Sequence, residues 1–353
     1  MGNWLTRLDT ENFVDRLLII DGHAYAYRAF HAIRELRAPD GQPTNAIYGF
    51  VKMLAKMRAT LTPTHLIVVW DGGLSAERLA ALPEYKAQRP EMPDGLKPQL
   101  DGIVGWLQAA GVASFCGEGV EADDYIACLA QRASGAGMTV VIASADKDFM
   151  QLVSSRVGLL NPNDKSETVW TDGQVRNKTG VEPSQIVDWL SLMGDSVDNI
   201  PGVPGVGPKT AADLLNRFGS IENLFARLDE VKSERLRAAL RDSANAVRRN
   251  RDLVRLRDDL PCEFSPAELV EKPADAGRLR ELYRRWGFKG MLAALGEPQD
   301  GVEADATEAS RGAAAGALGE VLCNGDESIL GGAQAEQGGV GAFGEVLAAG
   351  GAA

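Results

Sequence analysis

The sequence has no CxxC pair, and its 4 cysteines, at positions 116, 128, 262 and 323, are scattered along the chain. This pattern suggests neither a disulfide framework nor a cysteine-based zinc site, and it favours free thiols in a reducing cytosol. No apolar run approaches the roughly 20 residues that a membrane helix needs, and the N-terminus lacks the apolar segment of a signal peptide. We therefore expect a cytoplasmic protein, and 45% hydrophobic residues are ample for a sizeable core.

Basic residues are fewer than acidic ones, 37 against 49, and the net charge is −12. Such a charge would ordinarily argue against a nucleic acid as partner. The charge is unevenly distributed, however. Residues from 301 onward contain eight acidic residues and one basic residue, a net of −7, which leaves −5 for the first 300 residues. Nine acidic residues of that first part lie in motifs typical of metal ligands, and without them it is about +4. The acidic total therefore excludes no DNA-binding function.

Three short apolar runs each end on aspartate: LLIID at 17–21, LIVVWD at 66–71 and VVIASAD at 140–146. They are rich in Ile and Val, which is typical of strands buried on both faces of a parallel sheet. Helical patterns lie between them, for instance at 46–57 and 100–110. This alternation predicts an α/β fold with a doubly wound, mainly parallel sheet. Ligands bind outside the carboxyl ends of such strands, so we expect Asp21, Asp71 and Asp146 at one edge.

A dense acidic motif, VEADD at 120–124, comes just before a helical pattern. Helix capping accounts for one or two acidic residues there, but a third is harder to explain. Further motifs add Asp148 and the pair Asp195 and Asp198, whose spacing predicts one face of a helical turn. The nine candidate ligands are Asp21, Asp71, Glu121, Asp123, Asp124, Asp146, Asp148, Asp195 and Asp198. Carboxylates without His or Cys suit Mg²⁺ or Mn²⁺, and two such ions suit in-line displacement at phosphorus.

The glycine-rich segment IPGVPGVGPKTAADLL, at 200–215, is a poor nucleotide P-loop. Pro208 stands where the P-loop lysine belongs, and no predicted strand precedes the segment, which also excludes a dinucleotide fingerprint. A glycine-rich hairpin between two helices fits better, because its backbone N–H groups can approach a phosphate. The candidate DNA-binding residues are Gly202, Gly205, Gly207, Lys209 and Thr210.

The chain beyond about residue 180 is helical and more basic, with a dense arginine stripe at 235–257 that is either a solvated helix face or a binding surface. From about residue 300 onward, Ala, Gly and Glu dominate. Such a composition buries too little apolar surface to fold alone, so we expect a disordered acidic tail that is dispensable for catalysis. Its near-repeat, GALGEVL at 316–322 and GAFGEVL at 341–347, is either a chance duplication or a pair of partner contacts.

Eight stretches, taken together, resemble the 5′-nuclease of the flap endonuclease family, most closely the domain at the N-terminus of bacterial DNA polymerase I. They are DGHAYAYRAFHA, NAIYGF, VVWD, PEYKAQR, VEADDYIA, SADKDFMQL, GDSVDNIPGVPGVGPKTA and, more weakly, WGFKGML. The resemblance implies a PIN-like nuclease core at 16–180 with a helical arch at about 72–100. It further implies a helix–hairpin–helix region at 181–297, an N-terminal extension at 1–15 and a tail at 298–353.

The resemblance also implies roles for single residues. A first metal ion is expected on Asp21, Asp71, Glu121 and Asp123, with Asp124 beside them, and a second on Asp146, Asp148, Asp195 and Asp198. Arg28 is expected to meet the scissile or terminal phosphate, and Lys86 and Arg89 belong to the arch that the 5′ strand passes. The implied cofactors are two Mg²⁺ or Mn²⁺ ions, with K⁺ at the helix–hairpin–helix. One departure is Glu77, which precedes Arg78 where the family commonly has an aromatic residue.

We expect a free-standing 5′-3′ exonuclease and 5′-flap endonuclease in RNA primer removal and repair, because no polymerase domain follows. Its expected partner is DNA with 5′ flaps, nicks or recessed 5′ ends, bound by a monomer at the nucleoid. A separate DNA polymerase or clamp is the candidate partner of the tail. The alternatives are a catalytically idle DNA-junction-binding protein and a related metal-dependent ribonuclease. An aspartate-nucleophile phosphatase is disfavoured, because Gly-His and no second Asp follows Asp21.

Overall fold

The computed structural model describes residues 15–164, 166–262 and 264–296. The strands are β1 Arg16–Asp21, β2 His65–Trp70, β3 Ala113–Cys116, β4 Thr139–Ala143, β5 Val157–Leu160, β6 Gly194–Asp195 and β7 Ile200–Pro201. The helices of the first half are α1 Gly22–Ala32, α2 Asn45–Leu61, α3 Ala76–Ala81, α4 Lys97–Ala109, α5 Ala122–Gly135 and α6 Asp172–Thr179. The later helices are α7 Ile186–Met193, α8 Pro208–Phe218, α9 Ile221–Ala226, α10 Glu234–Asp242, α11 Ala244–Val254, α12 Pro266–Leu269, α13 Ala276–Trp286 and α14 Lys289–Ala294. Short 3₁₀ helices span Lys147–Leu152, Pro183–Gln185 and Leu228–Glu230.

The central sheet has five strands in the order β3-β2-β1-β4-β5, and every neighbouring pair is parallel. The predicted doubly wound, mainly parallel sheet is therefore confirmed. Its three central strands are the three apolar runs that the sequence predicts. The edge strands β3 and β5 were not predicted, because each is only four residues long.

Both faces of the sheet are buried, which is why its strands read as continuous apolar runs. Along β1, Leu17 and Ile19 pack on the face that α5 covers. Leu18 and Ile20 point to the other face, which α1, α2 and α4 cover. The sheet is thus sandwiched between helices, and its carboxyl edge is left as the place for a site.

The helices from α7 to α12 share the core on the α5 face. Leu190 of α7, Leu215 of α8 and Leu253 of α11 belong to the same buried cluster as Ile19. Helices α7 and α8 flank the two-stranded β6–β7 hairpin, so the predicted helix–hairpin–helix order is present. The later helices α13 and α14 pack instead on the α4 face, through Trp286 and Met291.

The predicted arch at about 72–100 contains only one complete helix, the six-residue α3. Turns follow at 83–88, and the first residues of α4 complete the range. Within the described ranges, no helix is both long and apolar enough to cross a bilayer. The predictions for the N-terminal extension and for the acidic tail fall almost wholly on residues outside those ranges, at 1–14 and 297–353.

Candidate metal centre and nucleic-acid interface

Aspartates meet at the carboxyl edge of the sheet, where β1 and β2 end. Asp21 ends β1 and caps α1: the backbone N–H of Ala24 donates to its Oδ1 at 3.0 Å, and the Ser144 hydroxyl donates to its Oδ2 at 2.7 Å. Burial, with the nearby charges of Asp71 and Asp146, raises the pKa of Asp21 to about 7. Asp71 follows β2 and accepts the backbone N–H of Ala122, at the start of α5, at 2.8 Å.

Asp123 joins these aspartates from the first turn of α5. Burial raises the pKa of Asp123 well above its ordinary value, and the charges of Asp146 and Asp71 raise it further. The topology brings these carboxylates to one edge of the sheet, since they end or follow β1, β2 and β4 or open α5, whose first residue donates to Asp71. We call Asp21, Asp71, Asp123 and Asp146 the strand-end group.

A second cluster lies beside it. Asp148, Asp195 and Asp198 are all buried, and one carboxylate oxygen from each lies within 4.8 Å of the others. Asp146 links the two groups, because it caps the 3₁₀ helix and accepts the backbone N–H of Asp148 at 2.8 Å. Asp148 Oδ1 is buried and has no hydrogen-bond partner. We call these three residues the hairpin group.

The local structure of Asp195 and Asp198 differs from the predicted helical turn. Asp195 ends the short strand β6, and Asp198 lies in the turn that leads to β7. Glycine forces this arrangement, because Gly194 has φ +75° and a Cβ there would lie 2.3 Å from the Gly202 nitrogen. The two chain segments can approach so closely only without side chains, so a hairpin forms instead of a continuing helix.

The basic turn at 83–88 packs on that hairpin. The backbone N–H of Lys86 donates to the Asp198 carbonyl at 3.1 Å, and the Asn199 side chain donates to the Glu84 carbonyl at 2.9 Å. Lys86 itself has φ +57°, which an L-residue adopts at a cost of about 1–3 kcal/mol when its surroundings hold it there. Contacts to the hairpin therefore fix the backbone from which the Lys86 side chain extends.

The two basic side chains of this turn both meet acidic partners. The buried Lys86 ammonium donates to Glu121 Oε2 at 2.6 Å, and Arg89 donates to Asp198 Oδ1 at 2.7 Å. Burial alone would lower the pKa of Lys86, but the charges of Asp198 and Glu121 outweigh it and hold that pKa well above its ordinary value. Lys86 is therefore a permanent cation next to the carboxylates.

Two predicted ligands, Glu121 and Asp124, have their oxygens occupied by other partners. Arg78 forms a two-pronged ion pair with Asp124, at 2.6 and 2.7 Å, and the backbone N–H of Arg257 donates to Asp124 at 2.9 Å. Glu121 Oε1 accepts the Ser75 N–H and lies 3.1 Å from Arg78, while its Oε2 also accepts the Tyr85 hydroxyl. Arg78 and the Arg257 N–H thus occupy both oxygens of Asp124, and its assignment as a metal ligand stays a prediction.

Glu121 is a helix cap that faces cations. It is the N-cap of α5, and burial, which alone would raise its pKa, is outweighed by Lys86 and Arg78, which hold the pKa at about 2. The structure thus separates the nine predicted ligands into the strand-end group, the hairpin group and a third pair, Glu121 and Asp124, that is bound to Arg78 and Lys86.

The other predicted residues lie on the surface. Arg28 is exposed on α1 and donates to the Asn163 side chain. Gly207 caps α8, Lys209 is exposed in its first turn, and Thr210 follows. Gly205 has φ +82° in the turn before this helix, a conformation that favours glycine. Glu77, whose side chain is 74% exposed, pairs with Arg257 at 2.8 Å.

Sequence reasoning missed several residues that the structure adds to the site. Ser144 binds Asp21, Tyr85 binds Glu121, and Lys147 lies 3.0 Å from Asp195. The available signal was position, since Tyr85 stands inside the matching motif PEYKAQR and Ser144 and Lys147 stand inside SADKDFMQL. The resemblance pointed to Arg78 only as the residue after Glu77, and its contacts could not be predicted because its partners are 46 and more residues away.

The sequence matches two family profiles in succession. Residues 16–180 match the 5′-3′ exonuclease N-terminal resolvase-like domain, and residues 181–277 match the 5′-3′ exonuclease C-terminal SAM fold. The chain is 41% identical over 276 residues to a 5′-3′ exonuclease of Aquifex aeolicus, covering 78% of this chain and 93% of that protein. It is 39% identical over 286 residues to DNA polymerase I of Bacillus caldotenax, covering 80% of this chain and only 32% of the polymerase.

Solved structures share the fold at low identity. The T5 D15 protein, co-crystallised with metal ions, aligns with a TM-score of 0.58 at 21% identity and covers 80% of this chain and 100% of its own. The catalytic core of Rad2 in complex with a DNA substrate aligns with a TM-score of 0.57 at 16% identity, covering 80% and 93%. The predicted combination of an α/β core with a helical second region is confirmed, as is the prediction of a 5′-3′ nuclease. With both profiles matched and a relative covered almost end to end, the chain belongs to the 5′-3′ exonuclease family.

Proposed function

We propose that this chain hydrolyses DNA phosphodiesters as a structure-specific 5′-3′ exonuclease and 5′-flap endonuclease, with two divalent cations held by its carboxylates. The observation that carries the proposal is the convergence of Asp148, Asp195 and Asp198 within 4.8 Å, beside the strand-end group. Seven buried or half-buried carboxylates in one place need cations to remain ionised together. RNA primer removal and repair, on DNA with flaps, nicks or recessed 5′ ends, are the corresponding tasks.

The residues present fit Mg²⁺ or Mn²⁺. The donor set consists of carboxylate oxygens alone, which these hard cations prefer, and Asp148 Oδ1 is a buried acceptor without a partner. We assign one ion to the strand-end group and the other to the hairpin group, and we leave Glu121 and Asp124 out of the direct ligands. When bound, such a pair of ions supplies an activated water and stabilises charge on the attacking and leaving oxygens.

The chain's own cations complete the site. Lys86 and Arg89 project from the turn that packs on the hairpin group, where a phosphodiester bound beside the carboxylates would meet them. Fixed positive charge at the phosphoryl oxygens stabilises the transition state. Arg28 is exposed on the helix that Asp21 caps, and we assign it to a neighbouring phosphate of the 5′ strand.

The function is tested by incubating labelled 5′-flap, nicked and single-stranded substrates with Mg²⁺, each with a DNA or an RNA 5′ strand. We expect cleavage of flaps and recessed 5′ ends with 5′-phosphate and 3′-hydroxyl products, and none in excess EDTA. Cleavage that persists in EDTA would refute the metal mechanism. Binding without any product would favour the idle junction-binding protein, and selective cleavage of the RNA strand would favour a ribonuclease.

Lys209→Ala should weaken binding to duplex DNA and lower the slope of log Kobs against log salt by about one. Lys209 is exposed in the first turn of α8, where the free N–H groups and the positive end of the helix favour a phosphate. The matched control is Lys232→Ala, an exposed lysine of the same region outside this hairpin. Fluorescence anisotropy over a salt series measures the affinity and the slope for each variant. Equal slopes for the parent and Lys209→Ala would rule out a contact between Lys209 and a phosphate. K⁺ at the same hairpin remains a prediction.

Asp21→Asn should stabilise the metal-free protein increasingly as the pH rises. Because the pKa of Asp21 is raised from 3.8 to about 7, the folded state favours the neutral acid, and the stability that this provides is lost as the pH rises through 7. In EDTA, the free energy of unfolding of the variant should rise relative to that of the parent between pH 4 and 8, by an amount on the order of a few kcal/mol. Mg²⁺ should stabilise the parent far more than the variant. Thermal unfolding measures this, and a pH-independent difference would contradict the raised pKa of Asp21.

A further inference from the structure

Arg78 is almost completely enclosed, and each nitrogen of its guanidinium has an acceptor. Nη1 and Nη2 donate to the two oxygens of Asp124, at 2.6 and 2.7 Å, and Nη1 also lies 3.1 Å from Glu121 Oε1. The Nε donates to the Leu253 carbonyl at 2.9 Å, and Nη2 donates to the Arg255 carbonyl at 3.1 Å. Arg78 thus joins α3, the first turn of α5 and the end of α11.

The contacts of Glu121 make this junction relevant to the site. One oxygen of Glu121 is held by Arg78 and by the Ser75 N–H, so the other oxygen points in a fixed direction. That second oxygen accepts the Lys86 ammonium at 2.6 Å. When one oxygen of a carboxylate is held in place, the other oxygen can orient the group that it binds, here the Lys86 ammonium. Carboxylates that bind metal-ligating residues orient those residues in the same way.

A purely stabilising role explains this arrangement poorly. Burying ion pairs costs desolvation that their attraction offsets only in part, and apolar residues of similar volume are often at least as stable. Here two cations and two carboxylates, Arg78, Lys86, Glu121 and Asp124, are all buried together. Lys86 is the last residue in this series of ion pairs, and it is the only one of the four whose backbone has a positive φ.

We propose that Asp124 and Arg78 are positioning residues that act through Glu121 to hold the Lys86 ammonium at the phosphate-binding side of the site. The proposal deepens the proposed function, because it depends on Lys86 meeting the substrate. It gives Glu121 and Asp124 a role outside direct metal binding. It also ties that role to the helical region, since the carbonyls that anchor Arg78 lie at the end of α11.

The test is a double-mutant cycle read by the single-turnover rate on 5′-flap DNA at saturating Mg²⁺. Because Arg78→Ala alone would leave a buried, unpaired Asp124, the variant used replaces both residues, R78M with D124L, and its folding is checked by thermal unfolding. We expect a loss of about 10- to 100-fold, typical of outer-shell partners. In a Lys86→Met background, the same replacement should cost less than about threefold, because the residue through which it acts is already gone.

Two further measurements separate the possible failures. The affinity for Mn²⁺, titrated without DNA, should be unchanged in R78M/D124L and lowered in Asp123→Ala. The control Arg176→Ala removes an exposed arginine of α6 that pairs with Glu182 at the surface, and should cleave like the parent. Equal losses with and without Lys86, or a fall in Mn²⁺ affinity like that of Asp123→Ala, would overturn the inference. A Lys86→Met protein with the parental rate would instead overturn the role of Lys86 in the proposed function, and the inference with it.

Discussion

Asp123→Ala and Asp71→Ala should each lower the cleavage rate by more than about 100-fold, which is the upper range for losing a mere outer-shell partner. Both residues belong to the strand-end group, and removing one carboxylate removes a direct ligand of the proposed metal pair. Binding of flap DNA should be retained or tightened, because one negative charge that repels phosphates is gone. Single-turnover kinetics and anisotropy separate the two effects.

The control for these variants is Asp101→Ala, which removes an exposed aspartate from α4 and should leave the rate unchanged. A variant of Asp71 or Asp123 that cleaves within tenfold of the parent would take that residue out of the ligand set. A loss of DNA binding equal to the loss of rate would point to misfolding or to a lost contact instead.

Lys86→Met should lower the single-turnover rate by about 10²- to 10³-fold with little change in Mn²⁺ affinity. The methionine keeps an unbranched stem at this buried position and removes only the cation that faces Glu121 and Asp198. A preorganised charge at a reacting oxygen contributes about this much to catalysis. Because the positive φ of Lys86 is held by the hairpin, the turn should keep its backbone.

The matched control is Lys56→Met, since Lys56 is an exposed lysine on α2 whose ammonium pairs with Glu167 at the surface. It should cleave like the parent. If Lys86→Met loses affinity for the metal and not the rate at saturating metal, Lys86 supports the ligands and does not stabilise the transition state.

The sequence predicts the centre of the sheet well and its edges poorly, for a physical reason. Strands β1, β2 and β4 are covered on both faces, so their apolar runs are uninterrupted. The edge strand β3, ASFC, is only half-buried at every position and carries no such run. The aspartates that follow the central strands were predictable for the same reason, because parallel strands bring their ends to one edge.

The local geometry of the hairpin group and the network of Arg78 could not be predicted from spacing. An i, i+3 pair reads as a helical turn, and only the contact between Gly194 and Gly202 converts it into a hairpin. Asp124 looks like a third ligand in VEADD until its partner, 46 residues earlier in the chain, is known. Tertiary contacts decide the role of a charged residue, and a single sequence does not display them.

The position of the β6–β7 hairpin along the chain has a consequence for synthesis. Chains are made from the N-terminus, and the α/β core is complete in sequence before residue 194 is added. Until then, the strand-end group has no Asp195 or Asp198 beside it, and Lys86 lacks the carbonyl that fixes its backbone. The helices that follow carry the proposed DNA contacts and the carbonyls that anchor Arg78. With the proposed metal pair and DNA contacts, we expect an incomplete chain to be inactive and to gain cleavage only together with substrate binding.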